Sequence, residues 1–245
     1  MNLLIDSGNS FIKWVWANDE SFHVGGRCLT TAVSSLREKW VNSDVPARVI
    51  VSNVAGESVA SEISKAVSVL WQLEVELIVS SQNCCGLTNS YHKPGQLGVD
   101  RWMAMVAAYQ MTQDPVIVVD CGTAVTIDLI NEKGLFIGGV IMPGLMTALQ
   151  SLKLGTDAVE DISRINSDVS PVSQSTEDGV IAGVLLGLAG GIERVVREQS
   201  LLVDKIPTVL ISGGDSEKIV PYLTIPVVLQ SGLVLEGLRI VAERK

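Results

Sequence analysis

Two short segments pair a carboxylate with a turn of small, hydrogen-bonding residues. Asp6-Ser7-Gly8-Asn9-Ser10 follows the apolar run ending at Ile5, and Asp120-Cys121-Gly122-Thr123 follows the run ending at Val119. Successive backbone N–H groups in such turns can point outward and hold phosphate oxygens. Asn9, Ser10 and Thr123 add side-chain donors, while Asp6 and Asp120 are placed to hold a hydrated cation or order a water. Lys13, three residues past the first turn, reaches the same anion. Gly8 and Gly122 are expected to supply the backbone freedom of the turns. Ordinary hairpins have a similar composition, since Asp and Gly are common turn residues. Two such turns in one chain, one followed by Lys13, favour phosphate binding. A Walker A loop and a dinucleotide Gly-x-Gly-x-x-Gly are both absent, so a nucleotide would have to be held by the paired hairpins.

A second group lies between Tyr91 and Arg101. Pro94 and Gly95 mark a loop, and Asp100 falls in the first turn of the helix that follows. An acid there can be a simple cap or dipole partner. With Arg101 beside it, Asp100 can also be a general base that accepts a hydroxyl proton while the guanidinium binds a substrate carboxylate. Weaker signals come from Gly138-Gly139 with Pro143-Gly144, a glycine-rich bend before a helix. Ser212-Gly213-Gly214-Asp215 forms a strand end that a flat adenine could approach. Ser175-Thr176 reads as a helix cap. Gly183, Gly187 and Gly191 leave one face of the next helix nearly bare, which suits close approach of another helix within the subunit or across a dimer.

The elements that must position these residues alternate along the whole chain. Strand-like runs cover 2–6, 11–17, 48–53, 74–79, 115–120, 125–130, 135–141 and 207–212. Helical periodicity covers 31–41, 56–70, 98–112, 144–153, 176–198 and 230–243. This is an α/β protein. Leu3-Leu4-Ile5-Asp6-Ser7-Gly8-Asn9 aligns without gaps on Ile117-Val118-Val119-Asp120-Cys121-Gly122-Thr123, and Val49-Ile50-Val51-Ser52-Asn53 resembles Val209-Leu210-Ile211-Ser212-Gly213. Two matches in the same order indicate duplication. The expected organisation is an N-terminal lobe of residues 1–113, a C-terminal lobe of residues 114–245 and a cleft between them, where small-molecule sites tend to lie. The five tryptophans read as core.

Composition excludes several classes. A formal net charge of −9 over 245 residues disfavours binding to nucleic acid. The four cysteines form no Cys-x-x-Cys pair, and His23 and His92 are far apart, so a zinc site is poorly supported. Adjacent Cys84 and Cys85 suit reduced thiols in a cytoplasmic protein. Strand-like sequence starts at Asn2 without a basic leader, and the apolar run Val180–Ile192 is too short to span a bilayer, so neither export nor a membrane is expected.

Taken together, Asp6-Ser7-Gly8-Asn9-Ser10 with Lys13, Tyr91 through Leu97-Gly98-Val99-Asp100-Arg101, Asp120-Cys121-Gly122-Thr123-Ala124, Gly138-Gly139 with Pro143-Gly144, and Ser175-Thr176 resemble the type III pantothenate kinases. The resemblance extends over most of the chain. It implies two duplicated ribonuclease-H-like lobes with an interlobe nucleotide cleft, the actin-like ATPase fold, and a homodimer. It implies ATP-dependent phosphorylation of pantothenate, the first step of coenzyme A synthesis. By that similarity Asp6, Ser7, Gly8, Asn9, Ser10, Phe11, Ile12, Lys13 and Thr123 contact ATP. Tyr91, Gly98, Val99, Asp100, Arg101 and Thr176 contact pantothenate, and Asp100 is the proton acceptor. Asp120 matches the position of a monovalent cation, potassium or ammonium; magnesium accompanies the nucleotide, and Asp6 is placed to hold it or its waters. Ser10 stands where the family usually has Thr, which keeps the hydroxyl. The alternatives are a non-enzymatic accessory regulator of gene expression, or a kinase or phosphatase of the same superfamily with another substrate.

Overall fold

In a computed structural model that describes residues 1–18, 20–155 and 169–244, the chain divides into two compact units. The first comprises Met1–Met111 together with the segment from Gly232 onward, and the second is Thr112–Ser231. The second unit therefore closes before the chain does. The final helix belongs with the N-terminal residues rather than with the C-terminal lobe expected from contiguous sequence.

The first unit is built on β1 (Asn2–Ser7), β2 (Phe11–Ala17), β3 (Phe22–Leu29), β4 (Val49–Asn53) and β5 (Val75–Leu77), in the sheet order β3-β2-β1-β4-β5. β1 pairs antiparallel with β2 and parallel with β4. Alternation sends Leu3, Ile5, Ile12, Trp14, Val49 and Val51 to one face, where they form a core with helices α1 (Leu36–Trp40) and α2 (Glu57–Trp71). Trp40 stacks on Trp71 at 5.9 Å and meets Trp14 edge-on at 5.7 Å, as expected for core tryptophans. A short ribbon, β6 (Asn83–Cys84) and β7 (Leu87–Asn89), turns through Cys85 and Gly86, both at positive φ. It leads to α3 (Val99–Thr112).

The second unit carries β8 (Val116–Cys121), β9 (Ala124–Ile130), β10 (Leu135–Pro143), β11 (Thr208–Ser212) and β12 (Val228–Leu229), with helices α4 (Leu145–Gly155), α5 (Thr176–Ser200) and α6 (Ser216–Ile219). Its strand order, β10-β9-β8-β11-β12, repeats that of the first unit strand for strand, with the same antiparallel and parallel pairings. The duplication read from two short sequence matches thus extends to whole sheets. Ile117, Val119, Cys121, Ile127 and Leu129 face α4 and α5 across the core. Gly138 and Gly139 do not form the bend expected of them. They lie inside β10 at a register shift, and the chain turns at Pro143-Gly144 instead.

α5 is long and apolar enough to cross a membrane by length and composition, longer than the Val180–Ile192 run suggested. Its apolar face is nevertheless occupied, since Ile181, Val184, Leu185, Leu188 and Ile192 belong to the core of the second unit. The last helix, α7 (Leu233–Glu243), packs on β1, β2 and β4 of the first unit. It also crosses α3 closely. A Cβ at Gly237 would lie 2.0 Å from the carbonyl oxygen of Met103, so only glycine allows this contact.

Candidate active site

The first hairpin carries residues 6–13. Gly8 N–H donates to the Phe11 carbonyl at 3.0 Å, closing the turn, and Asn9 and Ser10 stand exposed at its tip. Gly8 has no positive φ. A side chain there is limited by space, because its Cβ would lie 3.3 Å from the Phe11 oxygen. The expectation that Gly8 and Gly122 are required for backbone freedom is thereby corrected, as Gly122 is not at positive φ either.

Thr30 fixes this hairpin from β3's end, with its hydroxyl donating to the Gly8 carbonyl at 2.7 Å and its N–H donating to the Ser10 carbonyl at 3.0 Å. Nothing in the sequence marked Thr30. Asp6 is 9% exposed and faces Lys13 across the β1–β2 pair. Ser7 and Ile12 are fully buried on the core side of the sheet, so they can meet a ligand only through backbone atoms. Phe11 is partly exposed and lies under the Arg27 guanidinium at 5.5 Å.

The Tyr91–Arg101 segment forms a compact cluster. Arg101 is buried, with Nη1 donating to the Tyr91 hydroxyl at 3.2 Å and the guanidinium 6.0 Å from the Tyr91 ring centre. The Arg101 N–H donates to Asp100 Oδ1 at 2.8 Å. Gly98 shapes this contact, because a Cβ at that position would sit 2.6 Å from Asp100 Oδ1. Glycine therefore leaves the carboxylate its place at the start of α3. Val99 is buried and contributes only main chain.

Asn89, fully buried, holds the loop. Its Oδ1 accepts from Tyr91 N–H at 3.0 Å, and its Nδ2 donates to the Ser81 and Pro94 carbonyls. An isolated Asn before Ser-Tyr gave no signal of that role.

In the second unit the hairpin is one residue shorter beyond its glycine, with Gly122 N–H donating to the Ala124 carbonyl at 3.0 Å. Thr123 is exposed at the tip, and its carbonyl accepts from Gly144 N–H at 3.1 Å and from the Thr147 hydroxyl at 2.7 Å. This is the counterpart of the Thr30 fastening. Gly144 is pressed so closely that a Cβ would lie 2.1 Å from the Gly122 carbonyl oxygen. Gly213, at φ +98°, packs equally tightly on Cys121, and Asp215 N–H donates to the Cys121 carbonyl at 3.0 Å.

Burial, then the charges of Asp120 and Asp215, push the Cys121 thiol up to about 12. It stays a neutral spacer and is no nucleophile. Gly214 has open space beside it, the feature expected of a surface that a flat ring can approach.

Asp128 is a buried carboxylate that the sequence reading missed. It is 1% exposed, sits opposite Val118 in register, and shares the face of Asp120 and Thr126. Its place in the run Ala124–Ile130, which otherwise alternates apolar with small, was the available signal. Thr176 is exposed as the first residue of α5. The cap itself is Ser175, which accepts from Asp178 N–H at 3.1 Å.

Among the described residues no group of three His, Cys, Asp or Glu side chains is arranged around a metal position.

The sequence model of the family described as type III pantothenate kinase matches residues 2–198. A type III pantothenate kinase of Nitrosomonas eutropha is 35% identical over 246 residues, covering 98% of this chain and 94% of that protein. Among solved structures, one described as a Baf family transcriptional activator from Campylobacter jejuni superposes with a TM-score of 0.61 at 19% identity, covering 99% of this chain and 98% of that one. An activator of 2-hydroxyisocaproyl-CoA dehydratase from Clostridium difficile, solved with bound ADPNP, gives 0.57 at 11% identity over 99% and 93%. At those identities the structural likeness establishes the fold, that of the actin-like ATPases and sugar kinases.

Proposed function

The chain belongs to the type III pantothenate kinase family, and from that membership we infer that it transfers the γ-phosphoryl group of ATP to the primary hydroxyl of pantothenate. The observation that carries the mechanism is the Asp100 carboxylate, which the absence of a side chain at Gly98 leaves in place beside the Arg101–Tyr91 pair. Asp100 accepts the hydroxyl proton, and Arg101 and Tyr91 anchor the substrate, with Thr176 as a further contact. Phosphoryl transfer depends mostly on alignment and charge stabilisation. The hairpin amides, Asn9, Ser10, Lys13 and Thr123 bind the phosphates. Magnesium bound with the nucleotide supplies charge neutralisation, and Asp6 holds it or its waters. Asp120 holds a potassium or ammonium ion. Reduced thiols at Cys84 and Cys85 fit a cytoplasmic location.

An ATP-consumption assay with pantothenate tests this reading, with sugars and acetate as competing acceptors. Turnover is expected with pantothenate alone, and replacing potassium with sodium is expected to lower it severalfold. Activity indifferent to that exchange would remove the cation from Asp120.

The homodimer is assigned to α5. Gly183, Gly187 and Gly190 are exposed, and nothing described lies within 4 Å of a Cβ built on any of them. Each interior glycine costs about 1 kcal/mol relative to alanine. A second copy packing on this face offsets that loss. Gly187→Glu is expected to convert the dimer to a folded monomer in sedimentation velocity. A dimer that persists would move the interface elsewhere.

A further inference from the structure

Asp6 has Lys13 on one side of it in the sheet and Ser52 on the other, the latter across the parallel β1–β4 pair. All three occupy the face opposite the core residues Leu3, Ile5, Val49 and Val51. Ser52 is fully buried, and its hydroxyl has no hydrogen-bond partner among the described residues. An unpaired buried hydroxyl costs about 1–3 kcal/mol, so a position that merely needed filling is better served by an apolar side chain.

The second unit repeats the arrangement. Ser212 of β11, 7% exposed, stands opposite Asp120 of β8 in the same parallel register. The antiparallel neighbours of the two carboxylates differ, Lys13 in one unit and Thr126 in the other. The serine is what the two halves share.

Neighbouring strands lie about 4.8 Å apart, a span that two side chains on one face can bridge through one water. We propose that Ser52 is a positioning residue for Asp6, orienting its carboxylate through a shared water toward the hydrated divalent cation that accompanies the nucleotide. The proposal rests on the ATP-dependent transfer inferred above.

Calorimetric titration of the full-length protein with MgATP, and with ATP in EDTA, tests it on wild type and Ser52→Ala. The variant is expected to bind MgATP about tenfold more weakly, as for other residues that hold a metal's ligands. Metal-free ATP should bind both proteins equally. The thermal midpoint should change little, since the hydroxyl has no partner among the described residues and only one water contact is lost. In steady state the variant should need more magnesium for half-maximal turnover, with KM for pantothenate unaltered.

Equal MgATP affinity in the two proteins, or an equal loss with and without magnesium, overturns the proposal. A wild-type protein that binds MgATP yet leaves pantothenate unphosphorylated overturns the functional reading instead, and the calorimetric comparison still decides the role of Ser52.

Discussion

Asp100→Asn is expected to lower kcat by about a thousandfold, within the range that general-base catalysis contributes. The substitution is nearly isosteric. Asn keeps an Oδ1 that can accept the Arg101 N–H now bonded at 2.8 Å, and it still fits beside Gly98. What it loses is the ability to take a proton at neutral pH. Calorimetric ATP affinity should therefore stay at the wild-type level, because the hairpin at residues 6–13 is untouched. The Arg101–Tyr91 pair is also retained, so KM for pantothenate should move little beside kcat. Turnover close to wild type would remove Asp100 from the role of base. A parallel loss of ATP binding would show that the effect is structural.

Gly213→Ala should be the most damaging small substitution in the second unit. Two costs add. At φ +98° an L-residue is strained by roughly 1–2 kcal/mol. The added Cβ would also lie 2.3 Å from the Cys121 carbonyl oxygen and 2.5 Å from its nitrogen, backbone atoms that cannot rotate away. A total near 3 kcal/mol corresponds to a fall of roughly 6–12 °C in melting temperature for a chain of this size. The displaced partner is the end of β8, so the potassium activation proposed for Asp120 should weaken in whatever folded protein remains. Gly214→Ala is the control. Open space surrounds that position, φ is not in the left-handed region, and the melting temperature should hold. Equal behaviour of the two variants would mean that the β8–β11 contact is looser than its geometry indicates.

Legibility from sequence followed local periodicity closely. The strands of the central pairs, β1–β2 and β8–β9, alternate or run apolar, β1 and β8 end in Asp-x-Gly, and all were readable to within about two residues. β3 was not. It is an edge strand with most side chains exposed, and Gly25-Gly26 looks like a breaker. Those glycines are there because Trp14 is: a Cβ at Gly26 would lie 2.6 Å from the indole, and one at Gly25 2.6 Å from the Trp14 carbonyl oxygen. The β6–β7 ribbon escaped because each strand is only two or three residues long and the turn places Cys85, no usual turn former, at positive φ.

Among the candidate site residues, those with distinctive chemistry, Asp6, Asp100, Arg101 and Asp120, drew notice in the sequence. Those that act by fastening a carbonyl or a loop, Thr30, Asn89 and Thr147, did not, because a hydroxyl or amide near a turn is common and its partner lies far along the chain. Ser52 drew notice only as part of a repeat, and its meaning appeared once register placed it beside Asp6.

The allegiance of α7 carries a consequence for biosynthesis. Leu233–Glu243 leaves the ribosome after the whole second unit, yet it packs on β1, β2 and β4 of the first unit and wedges Gly237 against α3 at Met103. That sheet must wait without α7 until the second unit has been synthesised. The second unit, a continuous stretch, can mature earlier. Packing of α3 is thereby coupled to synthesis of α7, and a product terminated before Gly232 would have its second unit built while α3, which carries Asp100, lacked that support.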